Sequence, residues 1–373
     1  MKKTVNWRLP SHYIGAGRFV LTPDRAVLGT ETGVQCISRS EPPLSLWEAN
    51  VGSRCLGVAP GRNGTFLAAC VDGLHVFTVE GAERWGTHSL QEIVHGPVPF
   101  RDGVLLTSRR SIHAVREWGG SEWRFDFGEI LGTSVEKIRM VNLFDQDGHV
   151  VAGVVDYDTG IGRVVVLSGK TGRRVWMSDP GPVTEVFSGG QGVFVWSQTG
   201  YGRFETRMTR IDGLEVWQKD FAGFGTTRAD GSIGVVVGSN ESPAWDDWEY
   251  RQISAGGKLE RTVRVKGRCP LRPTSRKDGT VYVLGMASRP DAGGARSEHT
   301  RFLPMPQEVL FQHLTGIRPQ LPEHEIWVQR IRPGATSVEV IYQQSATYCL
   351  ADLQALGTEI VFCDARDIIA VDG

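Results

Sequence analysis

Leu167-Ser-Gly-Lys-Thr-Gly172-Arg-Arg-Val-Trp176 follows the apolar run Val164-Val-Val, so it reads as one strand, a glycine-bearing turn and a second strand opened by a tryptophan. Its Gly-Lys-Thr core invites comparison with a phosphate-binding loop. Such a loop needs a glycine five residues before the Gly-Lys, where this chain has Val164, and a helix after it, where this chain alternates like a strand. Ser168–Thr171 is predicted to be a β-turn.

Working outward, the same unit recurs in Leu44-Ser-Leu-Trp47, Ala82-Glu-Arg-Trp85, Ser121-Glu-Trp123 and Gly213-Leu-Glu-Val-Trp217. Before each tryptophan lies an alternating run, such as Leu74-His-Val-Phe-Thr-Val, and before that a strand opened by a turn, such as Asp102-Gly-Val-Leu-Leu-Thr. Segments rich in small residues between units, such as Cys55-Leu-Gly-Val-Ala-Pro, supply a fourth strand near a crowded axis. Four strands per unit make a propeller blade. The tryptophan intervals are 38, 38, 53 and 41 residues from Trp47 to Trp217, and the pattern continues through Leu259 and Val338 without the aromatic marker.

The carboxyl-terminal segment Gly357–Gly373 reads as the middle strands of a blade and stops where a tryptophan strand belongs. Thr4-Val-Asn-Trp7-Arg-Leu supplies that strand from the other end, 40 residues before Trp47. Closing the ring in this way removes exposed sheet edges. The expected fold is all-β: a single domain over residues 1–373, an eight-bladed β-propeller of four-stranded antiparallel blades, with an insertion at 288–324 in the seventh.

The segment Leu167–Trp176 resembles the repeat of quinoprotein-like propellers, in which a tryptophan after such a turn docks on the neighbouring blade. Degenerate copies cover most of the chain. The resemblance implies the fold and, in dehydrogenases of that family, pyrroloquinoline quinone held with calcium in a central funnel. The carboxylate and amide set of that site and the adjacent cysteine pair of the alcohol dehydrogenases are not recognisable here, so no cofactor is expected.

The 41 lysines and arginines balance 42 acids, which predicts neither general nucleic-acid binding nor a polyacidic partner. Met1-Lys-Lys-Thr-Val-Asn-Trp is not followed by the apolar stretch of a signal peptide, and no window approaches a membrane span, so a cytoplasmic protein is expected. Six scattered cysteines (Cys36, Cys55, Cys70, Cys269, Cys349, Cys363) lack a Cys-x-x-Cys pair and read as small buried strand residues. Asp156-Tyr-Asp158-Thr-Gly160 has the opening rhythm of a calcium loop, but its twelfth position is Leu167 rather than glutamate. Neither a zinc-protease pair at His324-Glu325 nor a Gly-x-Ser-x-Gly elbow is complete.

Eight basic residues between Lys258 and Lys277 form the one candidate for an anionic partner such as nucleic acid. Arg264 and Lys266 alternate there with Val263 and Val265, as on an outer strand whose solvent face is charged. The connections between second and third strands swell in the later blades, at Tyr157–Gly162, Gln198–Arg203, Asn240–Trp248 and Ser288–His324. Equivalent loops leave a propeller on one face. Trp245, Asp246, Asp247, Trp248 and Tyr250 have the residue mix of an interface anchor, or of a loop folded over blade surface. In the longest insertion Pro306–Gly316 reads as a short amphipathic helix. Arg301, Phe302, Leu310, Phe311 and His313 complete the candidate partner-binding set. The reading is a non-enzymatic scaffold presenting blades four to seven to a partner protein; the alternative is an enzyme or small-ligand binder using the funnel.

Overall fold

The computed structural model describes residues 5–10, 19–40, 42–87, 90, 92–131, 138–156, 158–183, 185–188, 192–200, 203–221, 223–228, 230–238, 247–267, 269, 272–288, 324–346, 351–363 and 367–373. They form eight antiparallel sheets, each built on four strands. Blades one to seven span 20–50, 55–87, 93–126, 138–177, 185–219, 223–266 and 274–346, and Gly181–Pro182 adds a short fifth strand to blade four. Blade eight takes three strands from 351–372, and Val5–Pro10 pairs outside them with Asp367–Asp372. The eight-bladed propeller expected from the repeat is the fold.

The core lies between the blades. Eight apolar clusters each straddle one joint, from Val20, Cys36 and Phe77 between blades one and two to Phe19, Ala26, Val361 and Ala370 between blades eight and one. Central strands are therefore buried on both faces: Phe66–Cys70 is a continuous apolar run, and Gly73–Phe77, His75 included, is buried throughout. The ring is closed by polar links as well, because Asn6 donates to Asp372 at 2.9 Å and Arg39 of blade one pairs with Glu359 of blade eight.

The tryptophan marker has a positional cause. Every outermost strand skips one residue in its pairing, and the residue after the skip is Trp47, Trp85, Trp123, Trp176 or Trp217 in blades one to five and Trp7 in blade eight. From blades one to five the indole reaches the turn before the outermost strand of the next blade. Trp47 donates to the Val79 carbonyl at 3.0 Å, Trp123 to Gly169 at 3.0 Å and Trp217 to Ala255 at 3.2 Å. The ring lies against a glycine of that turn, Gly81, Gly172 or Gly257, where an added Cβ would sit 2.6 Å from it and where φ is +88°, +66° or +84°. Only glycine meets both demands cheaply.

The same register corrects the markers of blades six and seven. The equivalent residues are Arg261 and Tyr342, not Leu259 and Val338, and Val338 precedes its outermost strand altogether. Arg261 does the work of the missing indole: its guanidinium donates at 3.0 Å to the Arg332 carbonyl, two residues before Gly334, as Val79 stands two before Gly81. No ring covers Gly334, where a Cβ would meet nothing within 4 Å. Arg261→Ala is expected to lower stability by about 1.5–3 kcal/mol, the range for a charged hydrogen bond, measured by chemical denaturation.

The long Trp123–Trp176 interval contains the helix Gly128–Leu131, where Phe127 and Ile130 extend the joint between blades three and four. Ser168–Thr171 is a turn: Gly172 donates its N–H to the Ser168 carbonyl at 2.8 Å.

Candidate functional site

The later blades carry the longer connections, and the strands show how each arises. In blade five the strands Gly192–Gly200 and Arg203–Arg210 run on through the region read as a loop, so that insertion is extra strand. In blade six Gly238 pairs directly with Trp248, closing the sheet around residues 239–246. In blade seven Ser288 pairs with His324, so 289–323 leaves and re-enters the blade at one point. Trp245 and Asp246, like Arg301, Phe302, Leu310, Phe311 and His313 and the Pro306–Gly316 helix, lie outside the described residues.

Three members of the candidate set are described, in the strand Asp247–Ile253 rather than in a loop. Trp248 is 4% exposed and Tyr250 fully buried, both in the joint between blades six and seven. The Tyr250 hydroxyl accepts from the buried Arg228 guanidinium at 3.2 Å; Arg228 also holds Gln252 at 2.7 Å and the Gly279 carbonyl of blade seven at 3.3 Å. Burial raises the Tyr250 phenol above its ordinary pKa despite the guanidinium. These two aromatics are blade core, which corrects their reading as free anchors. Asp247 opens the strand opposite Lys266.

Part of the basic stretch is engaged within the fold. Arg261 holds the Arg332 carbonyl, Arg272 lies 5.7 Å over Phe187 and Arg276 5.0 Å over Tyr282, while Val263 and Val265 face the core and Arg264 and Lys266 face outward. The alternation is that of a charged outer strand.

An open groove of about 550 Å³ lies where blade six meets blade seven, lined by Arg264 to Gly267, Trp327 and Thr336 to Val338. Gln329, fully buried, clamps the Lys266 backbone from both sides, accepting from its N–H at 2.6 Å and donating to its carbonyl at 2.8 Å. The Lys266 ammonium lies 4.2 Å above the Trp327 ring. Trp327 is 3% exposed, and its indole N–H has no acceptor among the described residues. A buried donor without an acceptor costs about 1–3 kcal/mol. Trp327 stands three residues after His324, where the blade-seven insertion rejoins. Sequence reading missed this groove, because only the register brings 264–267, 327 and 336–338 together.

The remaining motifs resolve into structure. The Asp156 carboxylate accepts from the N–H groups of Asp158 at 2.9 Å and Thr159 at 3.1 Å, the arrangement of an Asx turn. Near the axis, Asn142 holds the Val186 carbonyl at 2.6 Å and Ser188 pairs with Gln146, so inner-strand polar groups tie blades four and five to each other. Cys36, Cys55, Cys70 and Cys269 are buried thiols. No helix of the described residues is long and apolar enough to cross a membrane.

No family model matches the sequence, and no curated protein matches it. Among solved structures the chain is similar to BamB from Moraxella catarrhalis, at 17% identity and a TM-score of 0.53 over 73% of this chain and 82% of that one. It is also similar to the Dos1 propeller, at 11% identity and a TM-score of 0.59 over 99% of this chain and 95% of that one. At these identities the likeness is one of fold.

Proposed function

We propose that the whole chain is a single interaction domain of the quinoprotein-like kind, working in the cytoplasm without catalysis and presenting blades four to seven to a partner protein. The observation that carries this reading is the groove between blades six and seven: an apolar floor, an ammonium over the Trp327 ring and a buried indole N–H without an acceptor among the described residues, beside the root of the longest insertion. That combination suits a partner segment offering an apolar side chain next to a carboxylate or a free backbone carbonyl. The likeness to two propellers supports the scaffold kind of fold, and the engagement of inner-strand polar groups with one another gives the funnel reading no comparable support.

Because Ser288 and His324 are paired, residues 289–323 can be replaced by Asn-Gly, the two-residue turn that suits a hairpin. The replaced protein is expected to melt within a few degrees of the wild type and to lose at least tenfold in partner capture from extract of its source cells. Full capture by a folded variant would contradict the proposal.

A further inference from the structure

We propose that the hairpin joining the second and third strands of blade two is a binding site for a zinc-class divalent cation, with Cys70 Sγ, Asp72 Oδ1 and His75 as its protein ligands. The strand Phe66–Cys70 ends on the cysteine, the turn carries the aspartate, and Gly73–Phe77 returns the histidine. The three donor atoms all lie within 4.8 Å of one another. His75 Nε2 and Asp72 Oδ1 are 3.4 Å apart, long for a hydrogen bond to a carboxylate. It is close to the edge of a zinc tetrahedron: nitrogen and oxygen bonds of about 2.0–2.2 Å place neighbouring donors about 3.3–3.6 Å apart.

The surroundings match what a bound ion requires. The other nitrogen of the same ring, Nδ1, meets Glu83 Oε1 at 2.8 Å, and a carboxylate on the far side of a ligating imidazole fixes its tautomer and direction. Gly86 of the outermost strand pairs with His75, and a Cβ there would come within 3.1 Å of the imidazole, so the backbone closes over the ring. His75 is 2% exposed and Cys70 fully buried, whereas the Asp72 side chain is 33% exposed, so the cluster opens at the turn. Cys70 lies opposite Cys55 in the strand pairing, which gives the site a second sulfur neighbour. A thiolate with an imidazole selects zinc-like ions over calcium or magnesium, which prefer oxygen ligands. Three protein donors leave the fourth position of the tetrahedron to water.

The full chain, stripped with chelator, is titrated with Co²⁺ as a spectroscopic probe. The expected result is one equivalent bound, with a sulfur-to-cobalt charge-transfer band and tetrahedral visible bands, all displaced by Zn²⁺. Cys70→Ser removes the charge-transfer band, and Glu83→Gln, at a half-exposed position, weakens binding about ten- to a hundredfold. Should Cys70→Ser fail to fold, Asp72→Asn at the turn is expected to weaken binding at least tenfold in a protein with a wild-type melt. Absence of the band in the wild type, its persistence in Cys70→Ser, or unchanged affinity in folded Asp72→Asn would overturn the site and leave His75 a buried histidine held by two carboxylates.

Discussion

Trp123→Ala is expected to cost about 3–5 kcal/mol, because it removes a buried indole from the joint between two blades. Trp123 is 8% exposed, meets Phe100 edge-on at 6.3 Å, donates to Gly169 and covers Gly172 of the next blade. Trp123→Phe keeps much of the apolar area and loses the donated bond, so it is expected to cost less than the alanine variant, by urea denaturation. Trp118→Ala is the control: that ring is 59% exposed, and its loss is expected to change stability by less than about 0.5 kcal/mol. Equal losses at Trp118 and Trp123 would remove the docking role assigned to the repeat.

Deleting residues 1–10 is expected to be at least as damaging. The strand Val5–Pro10 covers Asp367–Asp372, Asn6 bridges to Asp372 and Glu359, and Val5 packs on the joint between blades seven and eight. Losing several ladder bonds of about 1 kcal/mol each with that contact amounts to on the order of 5 kcal/mol, a large part of the margin of an ordinary protein. The newly bare edge of Asp367–Asp372 should also drive association. Size-exclusion chromatography and thermal melts test both effects; a monodisperse protein with an unchanged melt would contradict the closure.

The repeat was readable because a docked tryptophan, a skipped residue and a glycine turn recur together and leave a chemical trace at fixed spacing. The trace faded where chemistry was exchanged rather than lost. Arg261 keeps the donated hydrogen bond of the indole without its ring, so counting from the glycine turn placed the marker at Leu259, and only strand pairing reveals the equivalence. Trp248 and Tyr250 looked like loop residues because acids and a proline precede them, yet the pairing of Gly238 with Trp248 starts the strand earlier and turns both rings into the joint. The groove depends on residues far apart in sequence. The Cys70–His75 cluster eluded the search for metal ligands because a tight hairpin brings together positions five apart, a spacing unlike that of a helix or a Cys-x-x-Cys knuckle.

The docking role of the groove is tested most directly by placing a photo-crosslinking residue at Thr336, on the turn that lines it, and at Glu80, an exposed residue on the equivalent turn of blade two. After irradiation in extract of the source cells, Thr336 is predicted to yield a discrete partner adduct that disappears in the variant lacking 289–323, and Glu80 to yield none. Adducts at Glu80 but not at Thr336, or adducts at Thr336 that persist in that variant, would contradict the assignment of the docking face to blades six and seven.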